Sequence, residues 1–209
     1  MTDKEYKEYR SAITRNVSEV GQALLERKVL ISFQEYEQQH GQGRALPWSF
    51  LSIAERSLYD CMLAHTMKVL DRHQGSATFW AIRDKCPSRM QKLSAYSDKE
   101  MEHLEDLAGK DKLKKIRDKT HFHIDRAAVV NPAGVYKAAD IKRDELGRGL
   151  EYLWKILNEL HQEVFGQKFL DLVTAYDSIS KEVSDILDYA RSRKFFRTAG
   201  QRPVQKSVR

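Results

Sequence analysis

Residues 114–126, KKIRDKTHFHIDR, place Lys114, Lys115, Arg117, Asp118, Lys119, His121, His123 and Asp125 within one short stretch. Arginine presents a permanently charged, planar fork that suits a phosphate or a pentacoordinate phosphorane, and histidine titrates near neutral pH and can take or give a proton. Those are the two tools needed to cleave RNA without a metal. A 2′-hydroxyl is deprotonated and attacks the adjacent phosphorus, and the charge growing on the non-bridging oxygens is held by the arginine. Five residues separate Arg117 from His123, so if a helix ends just after the turn of Arg117, the imidazole can reach the phosphate the guanidinium holds. Asp118 and Asp125 could orient either group. The same residues also suit a solvated helix terminus, because cations are favoured near the C-terminal carbonyls.

The elements that must carry this stretch read as helices. Only 10 Gly and 4 Pro punctuate 209 residues, which favours long helices over strands and turns. Ile13, Val17, Val20, Leu24 and Ile31 recur at helical spacing within a first helix over about 2–39, which Gly41 and Gly43 stop. Pro47 suits the first turn of a second helix over about 47–72, apolar around much of its circumference, with Cys61 and His65 among its packing residues. A short accessory helix is predicted over 78–83, with Cys86 after it as a second packing cysteine. Ser97-Asp98-Lys99-Glu100 forms a capping box for the next long helix, which Gly109 kinks or breaks. VVNPAGVYK reads as irregular. Beyond it Leu146, Leu150, Leu153, Leu157, Leu160 and Val164 mark one helix. Leu172, Tyr176, Ile179, Val183, Ile186 and Ala190 mark a last one, whose stripe could face the bundle or a second subunit. The expected architecture is all-α, an up-and-down bundle of four to five long helices with a short accessory helix. One domain spans 1–190, and a basic tail read as disordered spans 191–209.

The net charge of +6 is a property of that tail, which holds seven basic residues and no acid and leaves 29 basic against 30 acidic residues elsewhere. A high pI is then no evidence of a basic globular surface. The N-terminal MTDKEYKEYR lacks the apolar run of a signal peptide, no segment has the apolar length of a membrane span, and Cys61 and Cys86 form no metal knuckle, so a cytoplasmic protein without membrane contact is expected. Phosphate-cradling glycine loops and the nucleophile-elbow motif do not occur. Two Glu-x-x-His pairs, Glu37 with His40 and Glu100 with His103, raise a metal-bundle reading. The first ends its helix beside Gly41, and no glutamates at matching depth accompany them, so neither metal nor cofactor is expected.

Arg117-Asp118, the five-residue interval and His123-Ile124-Asp125 resemble the R-x(4–6)-H signature of the HEPN superfamily. In the form R-[ND]-K-x-x-x-H-x-D they resemble its abortive-infection branch. WSFLSIAERSLYDCMLAHTMKVLDR is similar to that branch's aromatic-led second helix with its Leu-Asp-Arg end, and DELGRGLEYLWKILNEL to the helix that follows the motif. The resemblance covers about 45–165, the HEPN-like core. Phe122 departs from it, since the branch commonly places a small residue before the histidine.

The resemblance implies a dimerising bundle with a composite cleft, and a metal-independent endoribonuclease of a toxin-antitoxin or phage-defence system, with an antitoxin protein as a further partner. Arg117 is then the phosphate ligand, His123 the acid/base and Asp118 the polar neighbour, with Asp125 and His121 in support. His121 is the rival acid/base, but it stands closer to Arg117 than the signature allows. Lys112, Lys114, Lys115 and Lys119 would attract RNA phosphates without sequence choice. The alternative is a non-catalytic HEPN-like module that binds RNA or a partner protein.

Overall fold

Nine helices and no strand account for the regular structure among the described residues of a computed structural model, which are 1–40, 48–73, 75–118, 132–170 and 172–192. Four of the helices are long. α1 (Asp3–His40), α2 (Trp48–Leu70), α8 (Arg143–Phe165) and α9 (Leu172–Ser192) carry the bundle, and α1 touches each of the other three. Between α2 and α8 the chain makes five shorter pieces: α3 (Phe79–Lys85), α4 (Pro87–Gln91), α5 (Asp98–Leu107), α6 (Leu113–Ile116) and α7 (Pro132–Ala139). The expected all-α bundle is therefore present, with more short helices than the one predicted. No helix among the described residues is long and apolar enough to cross a membrane.

The core follows the apolar stripes. Leu146, Leu150, Leu153, Leu157 and Leu160 of α8 are fully buried and meet Ile13, Val17, Val20 and Leu24 of α1 in one cluster. Ser97 caps α5 by accepting a hydrogen bond from Glu100 N at 3.4 Å, as the capping box predicts, but α5 is short and ends before Gly109. A Cβ on Gly149 would lie 2.6 Å from Leu107 Cδ1, so a larger residue there would force the buried Leu107 side chain of α5 to shift.

Three readings are corrected. Residues 132–137 of the segment expected to be irregular belong to α7: Pro132 stands at the first helical position, where its missing N–H costs nothing, and Val135 and Ala139 bury one face. Cys61 is exposed, not packed. On α9 the buried seam runs from Val183 to Leu187 and leaves Ile186 65% exposed. In this rotation Val183 and Leu187 pack on Tyr36, Val29 and Phe33 of α1, Tyr36 Oη donates to Asp188 Oδ1 at 2.6 Å, and Ser32 Oγ lies 3.3 Å from Ser180 Oγ.

Where α1 crosses α2, His65 stands between two carboxylates. Its Nδ1 is 2.6 Å from Glu19 Oε2 and its Nε2 is 3.4 Å from Glu26 Oε1, while Lys68 Nζ lies 3.1 Å from Glu19 Oε2. Glu26 Oε2 is buried and unpartnered among the described residues. Burial raises the Glu26 carboxyl above its ordinary 4.5, and the attraction of His65 and Lys68 only partly offsets it. Because the native state then holds a proton that the unfolded chain has lost, this contribution is present below pH 4.5 and is lost as pH rises through the raised folded value. Glu26→Gln, neutral at every pH, is expected to be more stable than the wild type at pH 7 and to lose that advantage near pH 4. Urea unfolding at both pH values measures this, and a less stable variant at pH 7 would show that the pairing with His65 outweighs burial.

Candidate active site

α6 is a single turn, and Arg117 and Asp118 continue it in a wider π-type turn, a local geometry often found at functional sites. The turn is anchored from below, where Leu113 and Ile116 are buried in the main core. Arg117 thus leaves a fixed base with its guanidinium half-buried.

Two carboxylates hold that guanidinium. Its Nη1 donates to Asp71 Oδ1, and on its other edge Nε lies 2.8 Å and Nη2 2.6 Å from Asp118 Oδ1. Burial disfavours the arginine's charge, but the pairing with Asp118 and Asp71 outweighs it and raises the pKa further above its already high ordinary value, so Arg117 stays cationic. Asp118 is the more exposed of the two partners, 42% against 26% for Asp71.

Asp71 was not singled out from the sequence, although it lies in the Leu-Asp-Arg end of the aromatic-led helix. Its position is set by Trp80. The indole Nε1 of α3 donates to the Leu70 carbonyl at 2.9 Å, and the Arg72 guanidinium lies 4.2 Å from the Trp80 ring centroid, so both neighbours of Asp71 are tied to one side chain. Arg72 and Arg83 also share Glu105 at 3.2 and 3.1 Å, and the two guanidiniums hold that carboxyl below its usual range against the opposing effect of burial.

Arg117 opens onto a cleft of about 670 Å³ whose polar lining includes Asp71, Arg72, His73, Glu105, Lys110 and Lys114. Arg72 and His73 also went unread in the sequence. Of the lysines proposed for RNA, Lys114 lines this cleft. Lys112 does not: it is paired with Asp106 at 2.6 Å and Glu145 at 3.5 Å. Lys115 donates to the Ala138 carbonyl at 3.3 Å and helps seat α7. Lys119, His121, Phe122, His123 and Asp125 lie outside the described residues.

The Glu-x-x-His pairs have other occupations. His103 Nε2 is 2.8 Å from the Glu145 carbonyl oxygen while Glu100 binds Arg148 at 3.1 Å, and the His40 ring stacks on Tyr36 with its Nδ1 3.0 Å from the Tyr36 carbonyl oxygen. His161 is likewise a core residue, stacked on Phe165 with its Nδ1 2.9 Å from the Gln167 carbonyl oxygen.

Comparison of the chain with protein-family models, with curated proteins and with solved structures returns no match.

Proposed function

We propose that the chain is a metal-independent endoribonuclease of the HEPN type, acting in a toxin-antitoxin or phage-defence system. The observation that carries the reading is Arg117: a half-buried, permanently charged fork fixed at the rim of a cleft that also presents Lys110, Lys114, Arg72 and His73. In the proposed mechanism a phosphate takes the Asp118 edge of the guanidinium, because Asp118 is the more exposed partner and the easier to displace. Asp71 stays on Nη1 and keeps the fork aimed. His123 then takes the 2′-hydroxyl proton and later returns one to the leaving 5′-oxygen, and Arg117 stabilises the charge on the phosphorane in between. The products are a 2′,3′-cyclic phosphate and a free 5′-hydroxyl.

The double pairing of Arg117 favours a second reading, a non-catalytic module of the same type that binds RNA or a partner protein, because a guanidinium already facing two carboxylates must give one up to meet a phosphate. One experiment separates them. Unstructured RNA is incubated in EDTA with wild type, Arg117→Ala and His123→Ala, purified side by side. Cleavage by the wild type alone, with cyclic phosphate ends, is expected. Loss of cleavage on adding EDTA would overturn the mechanism, and equal cleavage by all three would remove Arg117 and His123 from it.

A further inference from the structure

The cleft beside Arg117 does not end there. A second cleft, of about 430 Å³, shares Met67, Asp71 and Arg117 with the first and runs on to Arg15 and Glu19 of α1. A third, of about 740 Å³, begins at Arg15 and Glu19 and continues over Arg10 and Lys7 to Phe165 and Phe169. Each cleft therefore shares a wall with the next.

Charge along this course is one-sided. Each carboxylate that lines it is already engaged by a cation: Asp71 by Arg117, Glu105 by Arg72 and Arg83, Glu19 by Lys68. Lys7, Arg10, Arg15, Lys110 and Lys114 line it with no carboxylate within ion-pair distance among the described residues, and all five are exposed. On α1, Lys7, Ser11, Thr14 and Ser18 follow one another at helical spacing, a hydrophilic stripe about 16 Å long at 1.5 Å per residue. At its end the Arg10 guanidinium lies 4.3 Å from the Phe165 ring centroid, opposite the His161 ring stacked on Phe165, so that the guanidinium plane is the surface on which a flat base can stack.

Cations spaced along a continuous groove, with aromatic rings at one end, match a polymer that carries one negative charge and one flat ring per unit. We propose that the three clefts form a single track for single-stranded RNA, passing Arg117 and running along α1 to Phe165. The choice of RNA rests on the ribonuclease reading; the track itself rests on the clefts and their charges.

The test measures binding by fluorescence anisotropy, with labelled unstructured RNA of about six and about eighteen nucleotides, in a His123→Ala background that prevents cutting. Single strands release about 0.7 counterion per phosphate contact, so Lys7→Gln/Arg10→Gln/Arg15→Gln should weaken binding of the longer RNA roughly 100-fold near 0.1 M salt. It should also lower the slope of log affinity against log salt by about 2 and reduce the advantage of the longer RNA over the shorter. Should removal of Arg10 from Phe165 unfold the chain, Lys7→Gln/Arg15→Gln decides, with a loss of roughly 25-fold expected. Unchanged affinity and slope would overturn the track, as would displacement of the RNA by polyglutamate at equal charge concentration. The track and the nuclease fail separately. Affinity lost on substitution with no cleavage by wild type removes the nuclease and keeps the track, while cleavage with affinity insensitive to these residues does the reverse.

Discussion

Arg117→Lys is expected to slow RNA cleavage by about 10²- to 10³-fold, the loss typical when one preorganised donor to a developing oxyanion is removed. Lysine keeps the charge but presents a compact ammonium in place of a planar fork, so it cannot hold Asp71 on one edge and offer another edge to a phosphate. The substitution also controls for folding. Removing the charge outright would leave Asp71 and Asp118 facing one another, whereas an ammonium can still pair with either. Partly exposed ion pairs contribute about 0–1 kcal/mol each, so the melting temperature should fall by less than about 4 °C in a chain of this size. Single-turnover cleavage and a thermal melt on the same preparation give both numbers. Cleavage within a few-fold of wild type would mean that Arg117 supplies charge alone, and a large drop in melting temperature would assign it to the fold.

Leu150→Ala should cost about 3–5 kcal/mol of stability, the range for deleting a large apolar side chain from a site that cannot collapse. Leu150 is fully buried in the cluster that joins α8 to α1 and α5. Its neighbour Gly149 packs directly against the buried Leu107 and Leu104 side chains of α5, so the gap is walled by side chains that are already close-packed. Urea denaturation at constant m-value measures the loss. A cost below about 1.5 kcal/mol would show that the α5–α8 crossing repacks freely.

The long helices were legible because glycine and proline are sparse and the leucines of α8 keep a strict helical period. Ser97 and Glu100 marked the start of α5 for the same local reason. What lay beyond local pattern was lost. A proline at the first turn of α7 has the same composition as one in a loop, and Val135 and Ala139 are too few to show a period. A step of three or four residues from Val183 reaches Ile186 or Leu187 with equal plausibility, and the contacts that separate them, packing on Tyr36 and Phe33 and the Tyr36–Asp188 bond, form only across the bundle. The site divides along the same line. Arg117 and Asp118 stood out as neighbours in the chain. Asp71, which meets Arg117 from 46 residues away, had no local signature of its role, and neither did Trp80, which seats it. Lys112 and Lys115 looked like members of one basic run until their partners on α5, α7 and α8 turned them away from the cleft.

The packing of α1 is not continuous along its 38 residues. Most of it rests on the large cluster, but near its end it meets α9 through a separate small one, in which, among the described residues, Tyr36, Val183 and Leu187 are buried, with Val29, Phe33 and Ile179 beside them. Two apolar clusters of such different size, joined by α1 and by α9, are expected to open as two cooperative units of unequal strength. The smaller unit can open while the larger stays shut, so amide protons near Tyr36 and Leu187 should exchange by local opening long before those of α8 exchange by global unfolding. Trp80, and the Leu70, Leu113 and Ile116 that adjoin Asp71 and Arg117, all belong to the larger cluster, which leaves the C-terminal ends of α1 and α9 free to fray without disturbing the fork.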